Sequence, residues 1–137
     1  MMMIDTAEGP SFAQIFEVED ASDIIWDEAL KKFRLKTDEE KINSKKELLQ
    51  NLRKQKVASL LAQTDYVITK ISDLKTQLEL GIITSDTYSA EIQKYLPIIQ
   101  KRHNIRDWNV NIETRIQNAS SLEELKQIEK EINEYQG

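Results

Sequence analysis

The chain has 137 residues, 39% of them hydrophobic and 31% charged, with 3 Gly, 2 Pro and no Cys. That length suits one domain with a real core, and so few chain-breaking residues suit long uninterrupted helices. The missing cysteines exclude disulfides, thiolate nucleophiles and Cys-ligated zinc, while a formal net charge of −5 argues against a polyanion as partner.

The net charge conceals an asymmetry. Residues 1–30 carry eight acidic side chains and no Lys or Arg, whereas residues 31–56 carry ten basic and four acidic ones. An acidic arm beside a basic segment can dock on it, in its own chain or in a neighbouring copy; otherwise both are simply solvated. No apolar run approaches the ~20 residues needed to cross a bilayer. The opening Met1-Met2-Met3-Ile4-Asp5 has neither the positive charge nor the apolar stretch of a signal peptide. A soluble, unexported protein is expected, without membrane contact.

In chain order, residues 1–20 predict an irregular arm broken at Gly9-Pro10, with Phe12, Ile15, Phe16 and Val18 as apolar anchors. Residues 21–34 predict a short helix, capped by Ser22, with Ile25, Trp26, Ala29, Leu30 and Phe33 on one face. Residues 1–36 then form an acidic N-terminal arm with a short helix, and 37–137 a helical hairpin or bundle domain.

Thr37-Asp38-Glu39-Glu40 reads as a capping box, because Glu40 stands three residues after the capping Thr37. No Gly or Pro follows until Gly81, which sits where the residue after a helix end belongs. Ile42, Leu49, Leu52, Leu60, Val67, Ile71, Leu74 and Leu78 supply an apolar stripe, heptad-like from Leu60 onward. One helix over 38–79 would be roughly 63 Å long, against a diameter of about 37 Å for a compact domain of this size. Either the helix breaks near Gln63-Thr64-Asp65 or the molecule is a rod, and the polar section 43–56 favours the rod.

Thr84 or Ser85 can cap a helix over about 85–96 that carries Tyr88, Ile92, Tyr95 and Leu96. Pro97 should kink or end it at Leu96. Helicity resumes through Ile105, Trp108, Ile112 and Ile116, folding back on 57–79 as an antiparallel hairpin. A last helix opens at Ser120-Ser121 and carries Leu122, Leu125, Ile128, Ile132 and Tyr135. The fold class expected is all-α: an elongated helical hairpin or small bundle with one long helix and an irregular N-terminal arm.

Catalytic templates fail on inventory. A single histidine, His103, cannot make a two-histidine metal site, and Lys101, Arg102 and Arg106 around it disfavour a cation. No Gly-x-Ser-x-Gly elbow frames a serine, and Gly9, Gly81 and Gly137 are too isolated to cradle phosphate. No enzyme, cofactor or metal site is expected. A nucleic-acid-binding regulator is the least favoured reading, because the cations of 31–56 are interleaved with Asp38, Glu39, Glu40 and Glu47.

At Thr64-Asp65 a polar pair interrupts the apolar stripe. Asp65 either faces water or pairs with Arg102 or Arg106 across the hairpin, and a buried pair of that kind specifies alignment more than it stabilises. The seam through Leu60, Val67, Ile71, Leu74 and Leu78, with the charge-split N-terminus, points to a homo-oligomer.

Residues 53–70, RKQKVASLLAQTDYVITK, contain an LLAxTDYxxxK pattern. Gly81-Ile82-Ile83-Thr84, the segment Lys101-Arg102-His103-Asn104-Ile105-Arg106-Asp107-Trp108, and Ile116-Gln117-Asn118-Ala119-Ser120-Ser121-Leu122-Glu123-Glu124-Leu125 follow in order. Together, over residues 53–132, these resemble small tail-associated proteins of phages and prophages, including the phage tail assembly chaperones and tail-fibre-related proteins. The chain departs from that pattern in a longer Ile71–Leu96 segment, in Pro97, and in its first 36 residues. The resemblance implies a non-enzymatic phage tail or virion structural protein, or alternatively a dissociable tail-fibre assembly chaperone. Its partners would be other tail or fibre proteins, and its place the virion tail or the host cytoplasm during assembly. The contact residues expected are Phe12, Ile15, Phe16, Trp26, Leu60, Val67, Ile71, Leu74 and Leu78, with Asp65, Arg102 and Arg106 setting register.

Overall fold

A computed structural model of the chain describes residues 2–5, 15–18 and 23–137, with side chains from Asp23 onward. The expectations placed on Gly9-Pro10, Phe12 and Ser22 lie outside the described residues, as do the side chains of Ile15 and Phe16. The chain divides into two compact units, Met1–Lys45 and Lys46–Gly137.

The first unit departs from the expected helix and irregular arm. Strands β1 (Met2–Asp5) and β2 (Ile15–Val18) pair antiparallel, Met2 opposite Val18 and Asp5 opposite Ile15. Strands β3 (Ile24–Asp27) and β4 (Lys32–Leu35) form a second antiparallel pair, with Trp26 opposite Phe33. Residues 24–35 are therefore a hairpin where a short helix was expected. Ile24, Ile25, Trp26 and Phe33 are β-branched or aromatic and favour a pleated surface. The turn between them is made by Asp27, whose Oδ1 accepts from the Leu30 amide at 3.0 Å, and by Lys31 at a left-handed φ of +53°. Four-residue strands are too short for a period-two pattern to stand out against helical spacing.

Arg34 ties the hairpin to the next element. Its Nε lies 2.8 Å from Asp27 Oδ2, and its two terminal nitrogens grip both Glu40 oxygens at 2.6 and 3.0 Å. Glu40 sits in the first turn of α1 (Asp38–Ala62). The capping box forms in both directions: the Thr37 amide donates to Glu40 Oε1 at 2.9 Å, and the Glu40 amide donates to Thr37 Oγ1 at 3.2 Å.

The chain is mostly helical, with five helices among the described residues. The single 38–79 helix does not form, so the long rod gives way to two segments. α1 stops at Ala62, and α2 (Asp65–Glu79) starts beyond Gln63-Thr64. α2 ends in a Schellman motif: Gly81 has φ +72°, its amide bonds to the Leu78 carbonyl at 3.1 Å, and the Ile82 amide bonds to the Gln77 carbonyl at 2.9 Å. α3 (Ser85–Gln93) is capped by Thr84, whose side chain accepts from the Thr87 amide, and packs on α2. α4 (Leu96–Asn118) restarts with Pro97 in its first turn, where a missing N–H costs nothing. α5 (Leu122–Glu134) is capped by Ser121 and packs on α4.

In the second unit, buried positions recur at helical spacing: Leu49 and Leu60 on α1, Val67 on α2, Ile105, Ile112 and Ile116 on α4, and Leu125, Ile128 and Ile132 on α5. α1 runs antiparallel to α4, as polar rungs at a constant register show: Lys46 Nζ to the Gln117 carbonyl at 3.0 Å, and Gln50 Nε2 to the Glu113 carbonyl at 3.2 Å. Across α4 and α5, Arg115 grips both carboxylate oxygens of Glu131, at 3.2 and 2.6 Å.

Candidate functional site at the α1–α2 junction

Two arginines are buried in the second unit, Arg53 at 5% exposure and Arg102 at 6%. A buried guanidinium is costly unless its donors are met, and each reaches an acceptor on another helix. Arg53, on α1, donates from Nε to Gln50 at 2.8 Å and from Nη1 to Asn109 Oδ1 on α4. Arg102 reaches in the opposite sense, from α4 into the gap between α1 and α2.

At that gap Arg102 Nη1 donates to the Leu61 carbonyl at 2.9 Å and to Thr64 Oγ1 at 2.8 Å, and lies 3.1 Å from Asp65 Oδ1. The Leu61 carbonyl is one of the last in α1 and has no partner in a continuing helix ladder, so the guanidinium satisfies a helix end directly. Thr64 completes the joint: its amide and hydroxyl both donate back to the Leu61 carbonyl, and its own carbonyl accepts from the Val67 amide at 3.1 Å. Asp65 thus meets Arg102 rather than Arg106.

Beside this junction, Val67, Ile68 and Ile71 of α2 face Ile99, Arg102 and Arg106 of α4 across an open groove of about 280 Å³. Val67 is fully buried, while Ile68 is 52% and Ile99 38% exposed, so the groove presents apolar side chains to solvent. Among the described residues, Arg106 has no carboxylate within ion-pair reach. Single exposed apolar residues are ordinary on a surface; a row of them lining a concave site beside an unpaired cation is the pattern of a contact face.

The remaining predicted contact residues are scattered. Leu60 and Val67 lie in their own chain's core, so in this fold the seam cannot run continuously from Leu60 to Leu78 along another copy. Ile71, Leu74 and Leu78 are half-buried on α2. Trp26 belongs to the first unit, where it meets Phe33 edge-to-face with centroids 5.1 Å apart and donates from Nε1 to Glu28 at 2.6 Å. Ile68 and Ile99 were absent from the expected set, as were Arg53 and Thr64. Arg53 was detectable, since a charged residue four positions after Leu49 and seven before Leu60 occupies the buried stripe.

His103 stands on the exposed surface of α4 with Nε2 3.2 Å from Asp107 Oδ2. A second depression, of about 380 Å³, is lined by Thr114, Arg115, Asn118, Glu124, Gln127 and Ile128 and holds no nucleophile–base pair. Among the described residues, no group of three or more His, Asp or Glu could hold a metal ion, and no helix is long and apolar enough to cross a membrane. Comparison of the chain with protein-family models, with curated proteins and with solved structures gives no match in any of the three.

Proposed function

We propose that the protein is a non-enzymatic structural component of a phage tail or virion, working through helix-mediated contacts with other tail or fibre proteins. The observation that carries this reading is the groove between α2 and α4, which is lined by Val67, Ile68, Ile71 and Ile99 and left open by the chain's own helices. A partner helix laid into it would bring an apolar face to these residues and a carboxylate opposite Arg106. The resemblance of residues 53–132 to tail-associated proteins supports the choice of partner, because the groove residues and Arg102 fall inside that stretch.

The alternative, a dissociable tail-fibre assembly chaperone, would use the same groove but leave before particles mature. Mass spectrometry of purified particles separates the two. A stoichiometric amount of the chain supports a retained component, whereas its presence in assembly lysates but not in particles supports the chaperone. If it is absent from both, and from any complex with a tail protein, the proposal fails.

A further inference from the structure

The geometry points to a hinged arm: the α2–α3 hairpin, Asp65–Gln93, pivots on the α1–α4–α5 bundle, and Arg102 is its latch. The inference does not depend on the partner proposed above.

Both connections between this hairpin and the rest of the second unit are interrupted. On one side α1 stops at Ala62 and α2 starts at Asp65; on the other α3 stops at Gln93 and α4 starts at Leu96. The two interruptions differ in cause. Between α3 and α4 the break is written into the chain, because Pro97 lacks an N–H and clashes with the turn before it. Between α1 and α2 it is not. No Gly or Pro occurs from Asp38 to Leu80, and Gln63, Thr64 and Asp65 are all tolerated inside helices.

Besides the bonds that Thr64 makes to the Leu61 carbonyl, the group that holds this second break comes from another helix. Arg102 occupies the Leu61 carbonyl and the Thr64 hydroxyl and lies against the Asp65 carboxylate, all through Nη1. Thr64 has φ −120° and ψ 9°, outside helical values, and its side chain caps no α2 amide. If the clasp is released, the local sequence favours one helix through residues 61–66, and the hairpin must swing. Leu80 and Ile82, at the tip of that arm, are 70% and 67% exposed, so the swing carries two apolar side chains through solvent.

The chain contains no cysteine, so Glu47→Cys and Thr76→Cys, both at exposed positions, give two unique spin-label sites on the full chain. In a straight helix these positions would be about 44 Å apart at ~1.5 Å per residue. The latched protein should give one narrow distance distribution, centred below that value. Arg102→Met should broaden the distribution and move it toward the straight-helix distance, with helical circular dichroism kept or increased. A distribution that stays narrow and unmoved in a helical Arg102→Met protein overturns the inference, because the bend would then be local. If Arg102→Met fails to fold, the double variant Thr64→Val with Asp65→Asn decides. Both residues are at least partly exposed, and an unmoved narrow peak again overturns the latch, whereas broadening supports it.

Discussion

The indole of Trp108 lies flat on the ring of Tyr135, with centroids 3.9 Å apart and planes 3° from parallel. Trp108 belongs to α4 and Tyr135 follows the last turn of α5, so the stack fastens the end of the chain to the central helix. Truncating it with Tyr135→Ala should destabilise the second unit by about 1–3 kcal/mol, combining the ring pair with lost apolar burial. Urea unfolding followed by Trp108 fluorescence, in a Trp26→Phe background, measures it.

The same residue predicts an alkaline limb. Burial pushes the Tyr135 phenol above its usual value of 10.0, so the folded state prefers the neutral ring. Its contribution is complete below the unfolded value and declines as pH rises through the folded one. Ultraviolet titration of tyrosinate should show a late-ionising component that Tyr135→Phe removes.

The acid side rests on Glu40. Its hydrogen bonds from Arg34, and then from the Thr37 amide, bring its carboxyl from 4.5 down to about 2. Folding is therefore supported by this group above the unfolded value near 4.5, and that support is lost as pH falls toward 2. Carbon-detected NMR titration of the Glu40 carboxyl should give a midpoint near 2, and Arg34→Gln should return it toward 4.5.

Adjacent leucines give a matched test of the α1 face. Leu49 is 0% exposed and Leu48 is 49%. Leu49→Ala should cost about 2–5 kcal/mol through lost transfer and a residual cavity, whereas Leu48→Ala should stay within about 0.5 kcal/mol. Equal effects in chemical denaturation would contradict the orientation of α1.

At Gly81 a substitution isolates backbone conformation. A Cβ added there meets nothing within 4 Å, yet φ is +72°. Gly81→Ala should lower stability by about 1 kcal/mol through left-handed strain alone, readable as a shift in thermal midpoint, and Gly81→Asn should recover part of it.

Much of the helical part of the chain was legible because its signals are local. The Thr37–Glu40 capping box, the Gly81 helix end and the Ser121 cap each involve residues within a few positions of one another, and each forms with the expected partners. What escaped the sequence depends on residues far apart. Gln63-Thr64-Asp65 marks where a break can fall, and α1 and α2 do part there, but no Gly or Pro forces it, and Arg102, which bonds the Leu61 carbonyl, lies 41 positions beyond it. The polar pair Thr64-Asp65 was visible inside the apolar stripe, and either outcome, a solvated carboxylate or an ion pair, was compatible with its spacing. The β3–β4 hairpin was misread as helix because Ile25, Trp26, Ala29, Leu30 and Phe33 satisfy helical spacing, and only Asp27 in the turn argues otherwise. Ile99 escaped because it falls two residues after Pro97, where the chain reads as a helix end although a helix is beginning there.

The central claim, that the α2–α4 groove is where this protein meets a tail or fibre partner, is tested most directly by a photo-crosslinking residue in place of Ile68 in particle-producing cells. The account predicts a covalent adduct to a tail or fibre polypeptide, matched by one from position 99 and missing from position 126 on the exposed surface of α5. Adducts of equal yield at all three positions, or none at 68 and 99, would contradict it.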